Sequence, residues 1–199
     1  MTRTKKLLLF CAVFLLAVLA GCSEKQGLST EFDMGSLYST DEQRFCIDKL
    51  AVPLGADELA DALKEYRLKY TEEAYNDAVT QWVADAPASI EGYEASLVFN
   101  IGGDPETVTQ ITLLIEDGDL GQIFEEITAA ATELFGEDSF EAVGGEKLLF
   151  RWNAYTEHGI VKPGEEVPSA DSVQAEWGDS STLTISLAES IPAVVVAVS

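Results

Sequence analysis

Few residue types in this chain of 199 residues are suited to nucleophilic, acid–base or metal chemistry. The chain has one histidine, His158, and three cysteines, at positions 11, 22 and 46. A hydrolase triad needs a histidine beside a nucleophile, but no Gly-x-Ser-x-Gly pattern accompanies His158. A zinc site needs clustered ligands, and His158 is far in sequence from Cys46. We therefore interpret His158 as a surface-loop histidine and assign no catalytic, metal or cofactor-binding residue.

Cys46 lies between Phe45 and Ile47. This setting favours a small buried hydrophobic residue. An intermolecular disulfide and a catalytic thiol are the alternatives, although the thiol would need a nearby base.

The 35 Asp and Glu residues permit a carboxylate-dependent hydrolase but do not locate one, because any two could form the pair. The acidic stretch 116–121 suggests a calcium loop. A loop that starts at Asp117 has Gln122 where an EF-hand requires glycine and Thr128 where it requires glutamate. A loop that starts at Glu116 has Ile127 at the last position, which also requires glutamate. Neither register fits, so we predict a turn and a helix cap.

The N-terminus carries an export pattern. Arg3, Lys5 and Lys6 precede an apolar run of 14 residues, 7–20. As a helix this run would span about 21 Å, too short for a hydrocarbon core of about 30 Å. The pattern is typical of a secretory signal peptide. No internal disulfide is expected after its removal, because two of the three cysteines then leave or are modified.

The run ends in Leu19-Ala20-Gly21-Cys22, which resembles the lipobox of bacterial lipoproteins. The resemblance covers about a tenth of the chain. It implies a signal peptide over 1–21, cleavage before Cys22, and lipid on the Cys22 thiol and amine, which would anchor the protein to a membrane. Ser23 in place of Asp implies the outer membrane, facing the periplasm. The alternative is an ordinary signal peptide that happens to end in cysteine.

The charge is strongly negative, at −23 for the whole chain. Cleavage would leave nine Lys and Arg against 35 Asp and Glu, a net charge of −26. Nucleic-acid binding is excluded, because phosphate contacts need clustered cations. The acidity is either a solvated surface or a means of attracting a basic protein partner.

Residue periodicity predicts a flexible tether over 22–39 and a single α+β domain over 40–199. The expected fold is an antiparallel sheet of about four to five strands with helices on one face. We predict a short helix over 41–50, or a strand over 45–50, and then a helix over 56–84, either continuous or broken near Thr71. A hairpin, a helix ending before Gly136 and two further strands follow, with 193–198 as a candidate last strand.

Two aromatic features suggest binding. Tyr66, Tyr70, Tyr75 and Trp82 recur at helical spacing, which is typical of a core stripe and also compatible with a ligand groove. Trp177 lies outside any clear strand and is a candidate exposed anchor. It ends the long aperiodic stretch 155–178, which we predict to be a partner-facing loop.

The sequence therefore favours a lipid-anchored envelope protein with a non-enzymatic binding or accessory role. The alternatives are a periplasmic inhibitor or immunity protein acting on a basic toxin or hydrolase, and the carboxylate-dependent hydrolase. The first two differ in the salt dependence that they predict for partner capture.

Overall fold

The computed structural model describes residues 30–76, 78–138, 140–144, 147–170, 172–188 and 191–199. The first half contains short elements and one long hairpin: β1 (Glu31–Phe32), a 3-10 helix (Met34–Leu37), β2 (Tyr38–Ser39), β3 (Arg44–Phe45), β4 (Leu54–Gly55), α1 (Ala56–Glu65), β5 (Tyr70–Ala74), β6 (Val79–Ala84), β7 (Ala88–Ile90), β8 (Tyr93–Gly102) and β9 (Thr107–Ile115). The second half contains α2 (Leu120–Phe135), β10 (Phe140–Gly144), β11 (Lys147–Tyr155), β12 (Gly159–Ile160), α3 (Val173–Trp177), β13 (Ser180–Ala188) and β14 (Ile191–Val198).

Twelve of these strands form one large sheet. Its main path runs in the order β1-β7-β8-β9-β14-β13-β11-β10. The β5–β6 hairpin extends the sheet beyond β8, while β4 and β12 pair with β9 and β11. The pairs are antiparallel except β1 with β7, which is parallel. β2 and β3 form a separate small hairpin.

The predicted sheet of about four to five antiparallel strands is therefore wrong. The sheet is larger and mixed, and strands predominate over the three helices. Several missed strands have only two or three residues, too short to show an alternating pattern. Among the longer missed strands, β10 lies where no element was predicted, and β5 and β6 lie in a segment that was predicted to be helical.

That segment is the second part of the predicted helix 56–84. The helix ends at Glu65, where Arg67 adopts a positive φ and the Leu68 N–H donates to the Leu63 carbonyl. Strands β5 and β6 follow. They are joined by a turn in which the Asn76 side-chain oxygen accepts hydrogen bonds from the N–H groups of Ala78 and Val79. This turn reverses the chain, and pairing of β6 with β8 then overrides the helical spacing.

The N-terminal part of the fold also differs from its prediction. The helix predicted over 41–50 is replaced by turns and by β3, since Phe45 is buried against Tyr38 and Phe135 at ring-centroid distances of 5.3 Å. Residues 31–39, predicted as tether, belong to the fold because Met34 and Leu37 are fully buried. The remainder of the predicted tether lies outside the described residues.

Other predicted elements are confirmed. The β8–β9 hairpin forms around the turn at 103–106. Helix α2 begins after Asp119, whose carboxylate accepts from the Gln122 N–H, and ends at Gly136 with φ of +84°. The C-terminal segment forms β14, a central strand between β9 and β13, with Pro192 near its start.

One face of the sheet carries the main core. Its large apolar side chains include Phe99, Leu113, Trp152 and Val196, all fully buried. Helices α1 and α2 supply apolar residues to the same cluster, through Leu59 and Leu63 on α1 and Ile123, Phe124 and Ile127 on α2. Trp152 also donates its indole N–H to the Gly136 carbonyl at 2.9 Å, which ties the end of α2 to the sheet.

None of the helices in the described part of the chain has the length and apolar character needed to cross a membrane.

Truncation of side chains on the two faces of β9 should lower the free energy of unfolding by different amounts. We expect Leu113→Ala to lower the free energy of unfolding by about 2–5 kcal/mol, because Leu113 is fully enclosed in the main core. Leu114→Ala should cost about 1 kcal/mol, because Leu114 is only half-buried on the other face. Urea unfolding followed by circular dichroism measures both values. Equal losses for the two neighbours would contradict the assignment of the faces.

Candidate functional site

The sheet face opposite α1 and α2 is the candidate functional site, and we call it the open face. Strand registers place side chains from six strands on it. From β6 to β11 these side chains are Val79, Gln81, Val83, Ser96, Val98, Asn100, Gln110, Thr112, Leu114, Val195, Ala197, Thr182, Thr184, Ser186, Leu149, Arg151 and Asn153.

The open face bears no acidic side chain at any of these positions, although the chain has 35 Asp and Glu. Its one charged side chain is Arg151 on β11. Alternating exposed positions of a solvated sheet in so acidic a protein would ordinarily contain carboxylates, but here they are Ser, Thr, Asn, Gln and small apolar residues. Depletion of charge is the compositional mark of the centre of a protein interface.

Three side-chain amides form a ladder across neighbouring strands of the open face. Gln81 donates its amide N–H to the Asn100 side-chain oxygen at 2.8 Å, and Asn100 donates to the Gln110 side-chain oxygen at 2.9 Å. Thr112 donates its hydroxyl to the same Gln110 oxygen at 3.4 Å. The ladder fixes the amide orientations, so the remaining Gln81 oxygen and Gln110 amide nitrogen are held ready for an external partner.

A groove of about 550 Å³ runs along the open face beside this ladder. Its lining includes no residue of α1 or α2. The floor is tightly packed, since Val98 and Thr112 are each only 7% exposed. Tyr75 stands at one end with 64% of its surface exposed. The groove therefore offers amide, hydroxyl and small apolar contacts next to one accessible aromatic ring.

Exposed carboxylates border the open face. Glu73 on β5 pairs in register with Gln81, and Glu94 begins the row that continues to Ser96. Three further acids lie at this border. Asp85 follows the end of β6, and Glu116 and Asp117 follow the end of β9. The site thus has an uncharged centre and a negative rim.

The aromatic stripe predicted at 66–82 is divided between three elements. Tyr66 caps the end of α1, and Tyr70 on β5 stacks on Trp82 of β6 with ring centroids 4.3 Å apart. These three residues pack against the main core, whereas Tyr75 is exposed in the β5–β6 turn region. The core interpretation is confirmed for Tyr66, Tyr70 and Trp82, and Tyr75 lies outside the core at one end of the groove.

The predicted partner-facing loop 155–178 is ordered by its own contacts. His158 stacks face to face on Trp177 with centroids 3.8 Å apart, and Tyr155 meets Trp177 edge to face at 5.4 Å. His158 Nε2 also lies 3.0 Å from Glu165 Oε1. Trp177 is therefore half-buried in an internal cluster, so its prediction as an exposed anchor is wrong. The contact with His158 brings together two residues 19 positions apart, which spacing alone does not reveal.

Cys46 is free and 4% exposed. Burial, assisted by the nearby Glu42 carboxylate, raises the pKa of its thiol above the ordinary value. The buried-residue interpretation is confirmed.

The acidic stretch 116–121 forms the predicted turn and the N-cap of α2. Within the described ranges, no group of three or more His, Cys, Asp and Glu side chains is placed to hold a metal ion. The predicted lipidation site, Cys22, lies outside the described residues.

The open face itself was not predicted from the sequence. A signal for it was present: in the strand segments 96–100, 110–114 and 182–186 the polar positions are filled by Ser, Thr, Asn and Gln, and the fourth segment, 195–197, consists of Val and Ala. Recognising one shared surface required knowing that these four segments pair with one another.

No protein-family model, no curated protein and no solved structure matches this chain.

The loop cluster should weaken in acid. The Lys162 backbone N–H donates to Glu165, and His158 adds a further contact, so the pKa of the Glu165 carboxyl is held below its ordinary value of 4.5. A lowered folded-state pKa stabilises the fold above that value, and the contribution is lost as the pH falls through the folded pKa. We expect the protection of the amides of loop residues 157–165 against hydrogen exchange, after correction for the intrinsic pH dependence of exchange, to fall selectively as the pH falls below about 4.5.

Substitution at neighbouring glutamates tests this assignment. Glu165→Gln should remove the acid-dependent loss of protection in the loop, while Glu166→Gln should retain it, because the Glu166 side chain has no hydrogen bond within the described part of the chain. Comparable pH profiles in the two variants would show that Glu165 does not control the loop.

Proposed function

We propose that this protein is a lipid-anchored binding protein of the bacterial cell envelope, non-enzymatic in role, and that the open face is its docking surface for another protein. The observation that carries the proposal is the open face itself. Across six strands of a protein with net charge −23, its rows carry a single acidic side chain, Glu94, at their outer end on β8. Such segregation leaves a surface that can be desolvated without burying carboxylates.

The partner should be a protein with an uncharged polar centre and basic residues around it. The acidic rim at Glu73, Glu94 and Glu116 favours Lys and Arg at the periphery of the contact, while the amide ladder offers directional hydrogen bonds to its centre. A second copy of this chain is disfavoured, because its own rim would repel the first.

The lipobox ending at Cys22 supports placement at a membrane, and Ser23 supports the outer membrane facing the periplasm. Thr30, the first described residue, is eight positions after Cys22. Even a fully extended chain would span only about 28 Å over that distance. The domain would therefore work close to the bilayer, which favours a membrane-associated partner.

Lipidation is tested by metabolic labelling with palmitate in a bacterial host. We expect label on the wild-type protein and its loss in Cys22→Ala, with accumulation of the unprocessed chain. Cys46→Ala is the matched control and should label normally, since Cys46 is buried in the fold. Equal labelling of wild type and Cys22→Ala, or wild-type protein found unprocessed in the cytosol, would exclude the anchor.

Docking is tested by a photocrosslinking amino acid introduced at Ser186 on the open face or at Ala129 on the exposed side of α2. Irradiation of intact cells should link the Ser186 variant to one discrete protein. The Ala129 variant should not give that product, because α2 lies across the sheet from the open face. Matching products from both positions would refute docking at this surface.

Charge substitution supplies a second arm of the same experiment. Thr184→Glu should reduce the crosslink from Ser186 at least tenfold, about 1.4 kcal/mol, because it buries a carboxylate at the interface. Ala129→Glu adds the same charge elsewhere and should leave the yield unchanged. If the captured protein is a basic toxin or hydrolase, and if its capture weakens as salt is added, the result would support the inhibitor role.

A further inference from the structure

A cleft at the end of the sheet, separate from the open face, contains a cation without an acidic partner. Arg44 on β3 is half-buried and donates one hydrogen bond, from Nη2 to the Val52 carbonyl oxygen at 2.5 Å. Its Nε is enclosed without a hydrogen-bond partner. Among the described residues no carboxylate forms an ion pair with Arg44, although acids outnumber cations almost threefold in this chain.

An arginine has five N–H donors, and leaving buried donors unsatisfied is costly. Arg44 lines the cleft and uses one of its donors in a hydrogen bond of the described structure, so the guanidinium keeps unused hydrogen-bonding capacity. A carboxylate is the group that a guanidinium binds best, through paired charge-assisted hydrogen bonds.

The cleft has a volume of about 570 Å³. Its walls come from the β3–β4 region, the end of β11, and the segment from α3 into β13, and they include Arg44, Pro53, Tyr155, Val173, Asp179 and Ser180. The long loop forms one of these walls. That wall is held in place by the stacking of His158 on Trp177 and of Trp177 against Tyr155.

Asp179 supplies the opposite charge in the same cleft. Its backbone N–H donates to the Thr156 hydroxyl at 3.1 Å, and its Oδ1 accepts from the Gln174 amide at 3.0 Å. The first contact holds the backbone and the second orients the exposed carboxylate without neutralising it. The described structure contains no ion pair between Asp179 and Arg44, so both charges are available across one space.

We propose that this cleft binds a small zwitterion of the amino-acid class, either a free amino acid or a short peptide with free termini. Arg44 would bind the carboxylate and Asp179 the ammonium group. Pro53, Val173 and the Tyr155 ring provide apolar contact for the ligand's side chain. Two separated charges of opposite sign favour such a ligand over a simple anion, which Asp179 would repel.

The test measures binding to the full chain in detergent by isothermal titration calorimetry. The probes are L-alanine, L-leucine and the dipeptide alanyl-leucine, with the dipeptide's N-acetyl and C-terminal amide forms as single-charge controls. We expect saturable binding of at least one zwitterion. For alanyl-leucine, each capped form should bind at least tenfold more weakly.

Matched variants connect that binding to the cleft. Arg44→Gln and Asp179→Asn should each weaken zwitterion binding at least tenfold, whereas Arg67→Gln and Asp61→Asn, which remove the same charges at exposed sites on or after α1, should leave it unchanged. Asn at position 179 can still accept from Gln174, and unchanged urea midpoints would show that the variants fold.

Several outcomes would overturn the proposal: no saturable binding of any zwitterion, equal binding of the N-acetyl dipeptide, or equal loss in the exposed-site variants. The crosslinking yield from Ser186 on the open face provides an independent measurement. It should be unaffected by Arg44→Gln, so the two proposals can fail separately.

Discussion

The fold depends on the insertion of the C-terminal strand β14 between β9 and β13. This strand pairs with both neighbours and so joins the β8–β9 hairpin to the strands that follow α2. Val194, Val196 and Val198 are fully buried on the helix side, while Val195 and Ala197 lie on the open face. A nearly continuous apolar run suits a strand that is shielded on both sides. Strand β14 is adjacent to β13 in the sequence but about 80 residues from β9. The two halves of the sheet therefore cannot form one surface until the end of the chain is in place.

The same strand order produces the separation of charge from the candidate interface. Rows such as Val98, Thr112, Ala197 and Thr184 become continuous only after β14 joins β9 to β13. The acidic side chains lie outside these rows, and several of them border the face. An acidic protein gains solubility from its carboxylates, but each one placed within a contact surface would have to be desolvated or paired. The open face avoids that cost, and the acidic rim can still attract a basic partner at longer range.

The long loop shows a different use of tertiary contacts. Residues 156–179 have little periodicity, yet His158, Trp177 and Glu165 hold the loop in a defined shape. The anchored loop in turn forms one wall of the cleft that contains Arg44 and Asp179. Thus the only histidine of the chain has a structural contact with an aromatic ring. The two charged groups of the cleft, Arg44 and Asp179, are 135 residues apart in the sequence.

Local patterns in the sequence were sufficient where neighbouring residues decide the structure. They predicted the β8–β9 hairpin from its alternation and turn, and α2 from its apolar stripe, with Asp119 at its start and Gly136 at its end. They also give the overall negative charge and predict a lipobox that ends at Cys22. They failed at 70–84, because apolar residues there match helical spacing while the Asn76 turn and pairing with β8 favour strands. The number of strands, the depletion of acidic residues on the open face and the Arg44–Asp179 cleft were decided by tertiary structure alone, since each depends on which distant segments become neighbours. A single sequence without aligned relatives encodes those pairings only through the stability of the whole fold.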